Sequence, residues 1–296
     1  MRISDQMMTN RMIQYMNENK ERMAELNNQI SSGKLYQNFS DNPTSMAAIQ
    51  SIRSSINTAK LYEDTANEID AWMSETDLAL SQAQDSLLDA SILVERGLND
   101  TMGADERANS IAPEMEAILD QLVNLANSSV QDKFIFAGYQ VNTKPFSRTG
   151  TNLEQVAYSG DNGIMSHDVG LGQPVVKNIN NSAALTGMFD AVSRAKTALL
   201  NNDLTELNAA FADIAASQKE IGDLQATNGS RQRQVSTSID RLQASNLVLK
   251  SLLSDKEDVN MAEAVAQLSS QENTYKAVLE VGSRAISALN LFDVLQ

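Results

Sequence analysis

Few residues in this chain are equipped for chemistry. His167 is the only histidine and there is no cysteine. Thiol nucleophiles, disulfides and zinc–thiolate sites are therefore excluded. A histidine-based triad or metal site would rest on His167 alone, and no base–nucleophile pair or ligand spacing surrounds it; a structural or solvent-facing role is expected. Gly170-Leu171-Gly172 contains a GxG, but it lacks the third glycine and the following helix of a dinucleotide fingerprint, so it reads as a turn. Gly160-Asp161-Asn162-Gly163 begins like a calcium loop without the closing glutamate, and a hairpin turn is the better reading. Arg231 and Arg233 make a small basic spot beside Gly229. It reads as a solvated helix face, with a salt bridge to an acidic neighbouring subunit as the alternative. No catalytic residue, cofactor site or metal ligand is expected, and an enzyme is the least favoured class.

What stands out instead is methionine and helical period. Six of the thirteen methionines fall within the first 23 residues. Methionine is flexible and fills irregular surfaces, so this cluster suggests a helix that packs against unlike neighbours. Near the N-terminus, Met8, Met12, Tyr15, Asn19, Met23, Leu26 and Ile30 step by threes and fours. Near the C-terminus, Val265, Leu268, Glu272, Tyr275, Leu279, Gly282, Ile286 and Leu289 do the same. Each end carries an apolar stripe that a single helix cannot bury. The economical solution is to pair the ends with each other or with other copies of the chain. Met8, Met12, Tyr15, Met23, Leu26, Ile30, Val265, Leu268, Tyr275, Leu279, Ile286 and Leu289 are the candidate assembly interface.

Composition agrees with an assembly role. The net charge is −15 and the pI about 4.5, whereas a nucleic-acid partner would want a basic stripe. An anionic membrane surface is disfavoured for the same reason. Residues 1–45 hold five basic and five acidic side chains, so this end is neutral and free of like-charge repulsion on close packing. No apolar run approaches the ~20 residues of a membrane helix. The opening Met1-Arg2-Ile3-Ser4-Asp5 has no apolar h-region, so no cleavable signal is expected. The missing cysteines fit either a cytosolic chain or one that avoids misoxidation outside the cell.

The elements that would position these stripes are long. The spacing predicts a first helix over residues 4–31, stopped at Gly33. Ser40-Asp41-Asn42-Pro43 is a turn cluster, with Asp41 or Asn42 capping a second helix and Pro43 in its first turn. That helix carries one seam, Ile49, Ile52, Ile56, Ala59, Tyr62, Ala66, Ile69, Met73, Thr76, Leu80, Ala83, Leu87, Ala90 and Val94. From Pro43 to Gly97 it would span roughly 80 Å, too long for a globular core, so it must pair with other long helices. A third helix carries Ile111, Met115, Ile118, Leu122 and Leu125, with Pro113 near its start. At Phe134-Ile135-Phe136-Ala137-Gly138-Tyr139 the period changes and a strand is expected. Asp161-Asn162-Gly163 signals a hairpin between 156–158 and 164–169, and Val175-Val176 another short strand. Helix returns over 188–201 and from 204 onward, with Ile221, Leu224, Val235, Leu242, Leu249 and Leu252 on its seam and a break over 255–260.

The expected fold is mainly α: a long antiparallel coiled-coil or helical-bundle rod with terminal helices and a small central β-rich insertion. Its divisions are 1–42 with 256–296 (terminal helices), 43–134 with 188–255 (rod), and 135–187 (β insertion). Ile49, Ile52, Ile56, Ile69, Met73, Leu80, Leu87, Leu242 and Leu249 are the expected rod core. In this nested layout both termini lie at one end of the rod and the insertion at the other.

The opening Met1-Arg2-Ile3-Ser4 is similar to the start of the flagellin family's hook–filament junction branch, the hook-associated protein 3 family. Ile30-Ser31-Ser32-Gly33-Lys34 followed by Ser40-Asp41-Asn42-Pro43 resembles the flagellin "SGKR…PSDDP" signature. Leu125-Ala126-Asn127 with Phe134-Ile135-Phe136-Ala137-Gly138 resembles "LAN…YLFAG", Tyr158-Ser159-Gly160-Asp161 resembles "Y-x-GD", and Tyr275-Lys276-Ala277 with Leu289-Asn290-Leu291-Phe292-Asp293 is similar to the "YxA…SLLDYL" close. Asn42 replaces the second aspartate of the signature, and the close reads Leu-Phe-Asp-Val-Leu. The short insertion favours the junction branch over a filament flagellin.

The resemblance implies D0-like terminal helices, a D1-like rod and a D2-like insertion. It also implies an extracellular flagellar location, reached unfolded through the flagellum-specific type III apparatus. The terminal helices would be disordered in the free monomer and fold on assembly, with an ordering cost that only completed interfaces repay. Implied partners are a homo-oligomeric ring, the first hook-associated protein on the hook side, flagellin on the filament side, and an export chaperone on the C-terminal helix. A filament subunit is the alternative, and a secreted coiled-coil effector or adhesin with a ligand-binding insertion is a third reading.

Overall fold

A computed structural model describes residues 2–149 and 155–294 of the chain, without the side chains of residues 2–6, 8 and 285–294. Long helices dominate, and among the described residues strands occur only as short antiparallel pairs, so the fold is mainly α. The helices are α1 (Arg2–Ser32), α2 (Pro43–Gly97), α3 (Ala104–Glu106), α4 (Ala112–Ala126), α5 (Ser182–Asn201), α6 (Leu204–Glu257) and α7 (Met261–Val294). A π-helical turn, Arg107–Ile111, joins α3 to α4. The helix limits follow the sequence signals closely. Gly33 stops α1 with φ +71, a left-handed conformation that glycine adopts without strain. Asn42 Oδ1 accepts the Ser45 amide at 3.0 Å and caps α2, with Pro43 next to it in the first turn. Helix α5 begins six residues before the expected Met188, where Asn181 Oδ1 accepts the Ala184 amide.

The chain divides into two compact units. Unit 1 is Met1–Thr58 with Asn246–Gln296, and unit 2 is Ala59–Ser245. Unit 2 holds the main core. Leu80, Leu87, Val94, Met115, Leu119, Leu122, Phe189, Val192, Leu199, Leu207, Ile214 and Ile221 pack there from α2, α4, α5 and α6. A smaller cluster joins Ala66, Ile69 and Met73 of α2 to Val235 of α6 and to Val169 and Val175. Polar groups fix the α2–α6 register. Asn228 Nδ2 donates to the Met73 carbonyl at 2.8 Å, and Gln232 Nε2 to Ser74 Oγ at 2.9 Å. A slip of one turn would orphan the buried Asn228 amide, which costs more than the bond itself contributes.

The strands pair as β1 (Ser129–Val130) with β2 (Lys133–Phe134), β3 (Phe146–Thr149) with β4 (Gln155–Tyr158), and β5 (Ser166–Asp168) with β6 (Pro174–Val176). Two sequence expectations are corrected here. The strand expected over Phe134–Tyr139 is confined to Lys133–Phe134; Ile135, Phe136 and Ala137 instead turn inward and are buried. Three consecutive buried side chains do not fit a strand with one solvent-facing side, where burial alternates. Asp161-Asn162-Gly163 does not close a hairpin between 156–158 and 164–169, because β4 pairs with β3 and β5 with β6. Asp161 Oδ1 instead accepts the amides of Tyr139 and Gly163, both at 2.8 Å, which ties the turn back to Gly138–Tyr139. Gly138 sits at φ +67, and a Cβ there would collide with the Asp161 carbonyl oxygen. The turn at Gly170-Leu171-Gly172 forms as expected, joining β5 to β6.

Candidate assembly interface

In unit 1, α1 runs antiparallel to α7. Asn19 Oδ1 accepts Gln271 Nε2, Lys20 Nζ lies 5.8 Å above the Tyr275 ring, and the Met12 methyl occupies the space where a Cβ on Gly282 would sit. Half-buried or buried positions that step by alternating fours and threes mark both helices: Met12, Met16, Asn19, Met23, Leu26 and Ile30 on α1, and Ala264, Leu268, Gln271, Tyr275, Val278 and Gly282 on α7, with Gln29 and Glu272 half-buried beside them. This is a two-helix seam of coiled-coil period.

The sequence-read stripe overlaps this seam without coinciding with it. Met12, Met23, Leu26, Ile30, Leu268 and Tyr275 lie within the seam. Tyr15 (60% exposed), Val265 (51%) and Leu279 (41%) lie on its flanks. Met8, Ile286 and Leu289 lie outside the described side chains. Met16, Ala264, Gln271 and Val278 were missed; a strict seven-residue repeat run back from Ile30 through Met23 would have found Met16. An apolar stripe confined to the seam suits one partner helix, whereas a stripe that also covers flanking positions suits a helix with a second neighbour. Val265 and Leu279 are fourteen residues apart and so share one heptad flank.

Of the expected rod core, Ile69, Met73, Leu80, Leu87 and Leu242 are buried in unit 2. In unit 1, Ile49 is buried, and Ile52, Ile56 and Leu249 are half-buried. Leu252 faces outward, and its neighbour Leu253 is the half-buried residue.

The joint between α6 and α7 meets the joint between α1 and α2. The Leu35 amide donates to the Glu257 carbonyl at 2.7 Å, and the Val259 amide to the Gly33 carbonyl at 3.0 Å. Glu257 is 4% exposed, and its Oε1 accepts Lys34 Nζ at 3.0 Å and Arg53 Nη2 at 2.5 Å. Lys34 Nζ also reaches Asp258 Oδ1 at 2.7 Å. Burial pushes the Glu257 carboxyl up, but the hydrogen bonds from Lys34 and Arg53 outweigh it and hold the group below the usual carboxylate range. Sequence reading missed this cluster, whose members lie some 200 residues apart.

Residues of the resembling passages occupy structural joints. Asp41 Oδ2 accepts the Asn38 amide at 2.9 Å and the Gln37 amide at 3.1 Å, which lowers its pKa and shapes the turn before α2. Asn127 ends α4 and clamps β3: its Nδ2 donates to the Phe146 carbonyl at 2.9 Å, and its Oδ1 accepts the Phe146 amide at 3.0 Å. Phe146 is thereby held 5.2 Å from Phe189 and 5.0 Å from Tyr158, centroid to centroid. The Tyr158 hydroxyl donates to the Asp161 carbonyl at 2.6 Å.

The remaining candidates resolve simply. His167 is exposed on β5 opposite Val175. Arg231 donates to the Asn178 carbonyl at 3.0 Å, and burial depresses its pKa; Arg233 is exposed. Among the described residues no cluster of histidine, cysteine, aspartate and glutamate could hold a metal ion, and no helix is long and apolar enough to cross a membrane.

Residues 3–141 match the model of the bacterial flagellin N-terminal helical region. Flagellar hook-associated protein 3 of Escherichia coli K12 is 26% identical over 234 residues, which is 74% of this chain and 70% of the relative. It is related to flagellar hook-associated protein 3. The Salmonella typhimurium LT2 protein of that name is 32% identical over 151 residues, half of this chain and 47% of the relative. In fold, the chain is similar to a putative flagellar hook-associated protein from Vibrio parahaemolyticus, with a TM-score of 0.67 at 14% identity over 74% of this chain and all of that one. It is also similar to Bacillus cereus FlgL, with a TM-score of 0.58 at 22% identity over 70% of this chain and 99% of that one. This kinship makes the chain a flagellin-like structural protein of the flagellum.

Proposed function

We propose that the chain is the adaptor that joins the flagellar hook to the filament, assembling as a homo-oligomeric ring. The observation that carries this reading is the width of the α1/α7 stripe. The two ends of the chain pair with each other, yet Tyr15, Val265 and Leu279 remain apolar and exposed beside the seam. Those flanks suit further helices of the same kind, supplied by other copies and by related proteins. We place the first hook-associated protein on the hook side and flagellin on the filament side. An export chaperone would cover α7 before secretion to the cell exterior. Residues 1–42 and 256–296 would be the assembling part, 43–134 with 188–255 the helical rod, and 135–187 the small β-rich insertion. The role needs no cofactor and no catalysis.

The kinship with hook-associated protein 3 supports this reading over that of a filament subunit, as does the short β-containing segment. The test is deletion of the chromosomal copy, followed by electron microscopy of the cells and the culture medium. Hooks without filaments, with flagellin shed into the medium, are expected. Normal filaments overturn the proposal.

A further inference from the structure

Helix α2 carries a second stripe that the core of its own chain leaves uncovered. Leu78, Ser81, Asp85, Leu88, Ile92 and Glu95 step by threes and fours along it, offset from the buried seam through Leu80, Leu87 and Val94. Leu78, Leu88 and Ile92 are half exposed. Beside Ile92 the stripe opens into a groove of about 390 Å³ between α2 and α4, lined by Asp89, Ile92, Leu93, Glu114, Ala117 and Ile118. Its floor is apolar and its rim acidic: residues 77–95 hold four carboxylates and no cation. Arg96, at the edge, is paired with Glu114 at 3.5 Å. An exposed apolar stripe of this period is a seat for another helix.

The far part of α6 carries a complementary face. Arg241, Ala244, Val248 and Ser251 are exposed and step by the same threes and fours, with Leu247 and Lys250 exposed beside them. Leu247 and Val248 are 69% and 68% exposed. Residues 241–254 hold two cations and no carboxylate, in a chain whose net charge is −15. This face cannot seat in the groove of its own chain. Gln243 of α6 donates to Glu63 of α2 at 3.1 Å, and Asp89 lies 26 residues further along α2, roughly 40 Å away. Level with the groove, α6 instead presents Gln218, which donates to Ser91 Oγ at 3.2 Å.

We propose that the acidic groove of one copy receives the cationic face of α6, residues 241–252, from a second copy of this chain. The shared apolar period brings the helices together, and charge selects the partner surface: groove repels groove, and one α6 face repels its like. The two surfaces differ, so the contact is heterologous and passes on from copy to copy, as an assembly of many subunits requires. Both surfaces lie outside residues 1–42 and 256–296, so the contact does not need the terminal helices to be folded in the free chain. It rests on the adaptor reading, which supplies the setting in which copies meet.

The chain has no cysteine, so introduced thiols report on this contact alone. The test is bismaleimide cross-linking of flagella from a deletion strain complemented with Ile92→Cys plus Val248→Cys, read by immunoblot; the flexible linker tolerates small shifts of register. A ladder of dimers and higher multiples of this chain is expected from the double variant, and only monomer from either single variant. Leu88→Cys with Leu247→Cys is a second pair from the same two faces and is expected to give the same ladder. Asp89→Lys added to the first pair is expected to weaken the ladder about threefold at low salt, and Lys250→Glu added as well to restore it. Restored filaments without a ladder from either pair overturn the contact. So does a dimer from Ile92→Cys alone, which would make the contact two-fold, or a product joining Ile92→Cys to a different protein. Normal filaments in the deletion strain itself overturn the adaptor reading instead, so the two failures are distinguishable.

Discussion

Introducing aspartate at both Val265 and Leu279 should leave the isolated subunit folded and abolish its assembly. Both side chains stand beside the α1–α7 seam and are about half exposed in the single chain. Substitutions at such positions change stability by only about ±0.5 kcal/mol each. In an assembled ring the same positions would be covered by a neighbouring helix. Burying the remaining half of a valine or leucine contributes about 1 kcal/mol, and an aspartate trapped there without a partner costs about 2 kcal/mol more. Each site therefore accounts for about 3 kcal/mol, a factor of about a hundred in association. The two lie fourteen residues apart on one helix, about 21 Å, so their effects add to about four orders of magnitude. The assay pairs circular dichroism and urea unfolding of the purified variant with filament counts by electron microscopy in a complemented deletion strain. A subunit with wild-type unfolding and no filaments is the expected result. Wild-type filament numbers from the double variant would refute the assignment of this flank to the assembly interface.

Two further predictions concern unit 2. Arg107 is buried and donates to the Gly97 and Asn99 carbonyls at 2.7 and 2.8 Å and to Asn202 Oδ1 at 2.7 Å, tying the end of α2 to the α5–α6 turn. Arg107→Ala leaves those acceptors unpaired and should cost about 3–5 kcal/mol, measured by urea unfolding followed through Trp72. Glu116 bridges Lys196 and Arg148, whose side chains are largely buried; burial raises its pKa, but the hydrogen bonds from those cations prevail and hold it below the normal carboxylate value. Its contribution is therefore complete above the unfolded-state pKa and lost as pH falls through the lower folded one. Glu116→Gln should flatten the acid limb of the unfolding midpoint against pH, and an unchanged acid limb would contradict this.

Local signals made much of this protein legible from its sequence. The α2 seam is repetitive and continuous, so Ile69, Met73, Leu80 and Leu87 could be assigned to the core without knowing what covers them. Gly33, Asn42 and Pro43 bound the helices because caps and stops act within four residues. The terminal stripes were visible as apolar period, and the resemblance rested on short passages whose residues turn out to sit at joints. Tertiary structure alone decided what depends on distant partners. Which stripe residues enter the seam depends on the neighbouring helix, so Tyr15, Val265 and Leu279 fell to the flank while Met16 and Val278 went inside. Strands of two to four residues carry too little pattern to specify their partners, so β4 joined β3, and Ile135–Ala137 turned into the core. The Glu257 cluster has no sequence signature at all: its charges are common residues, made significant only when folding closes more than 200 residues of chain and takes the carboxylate out of water.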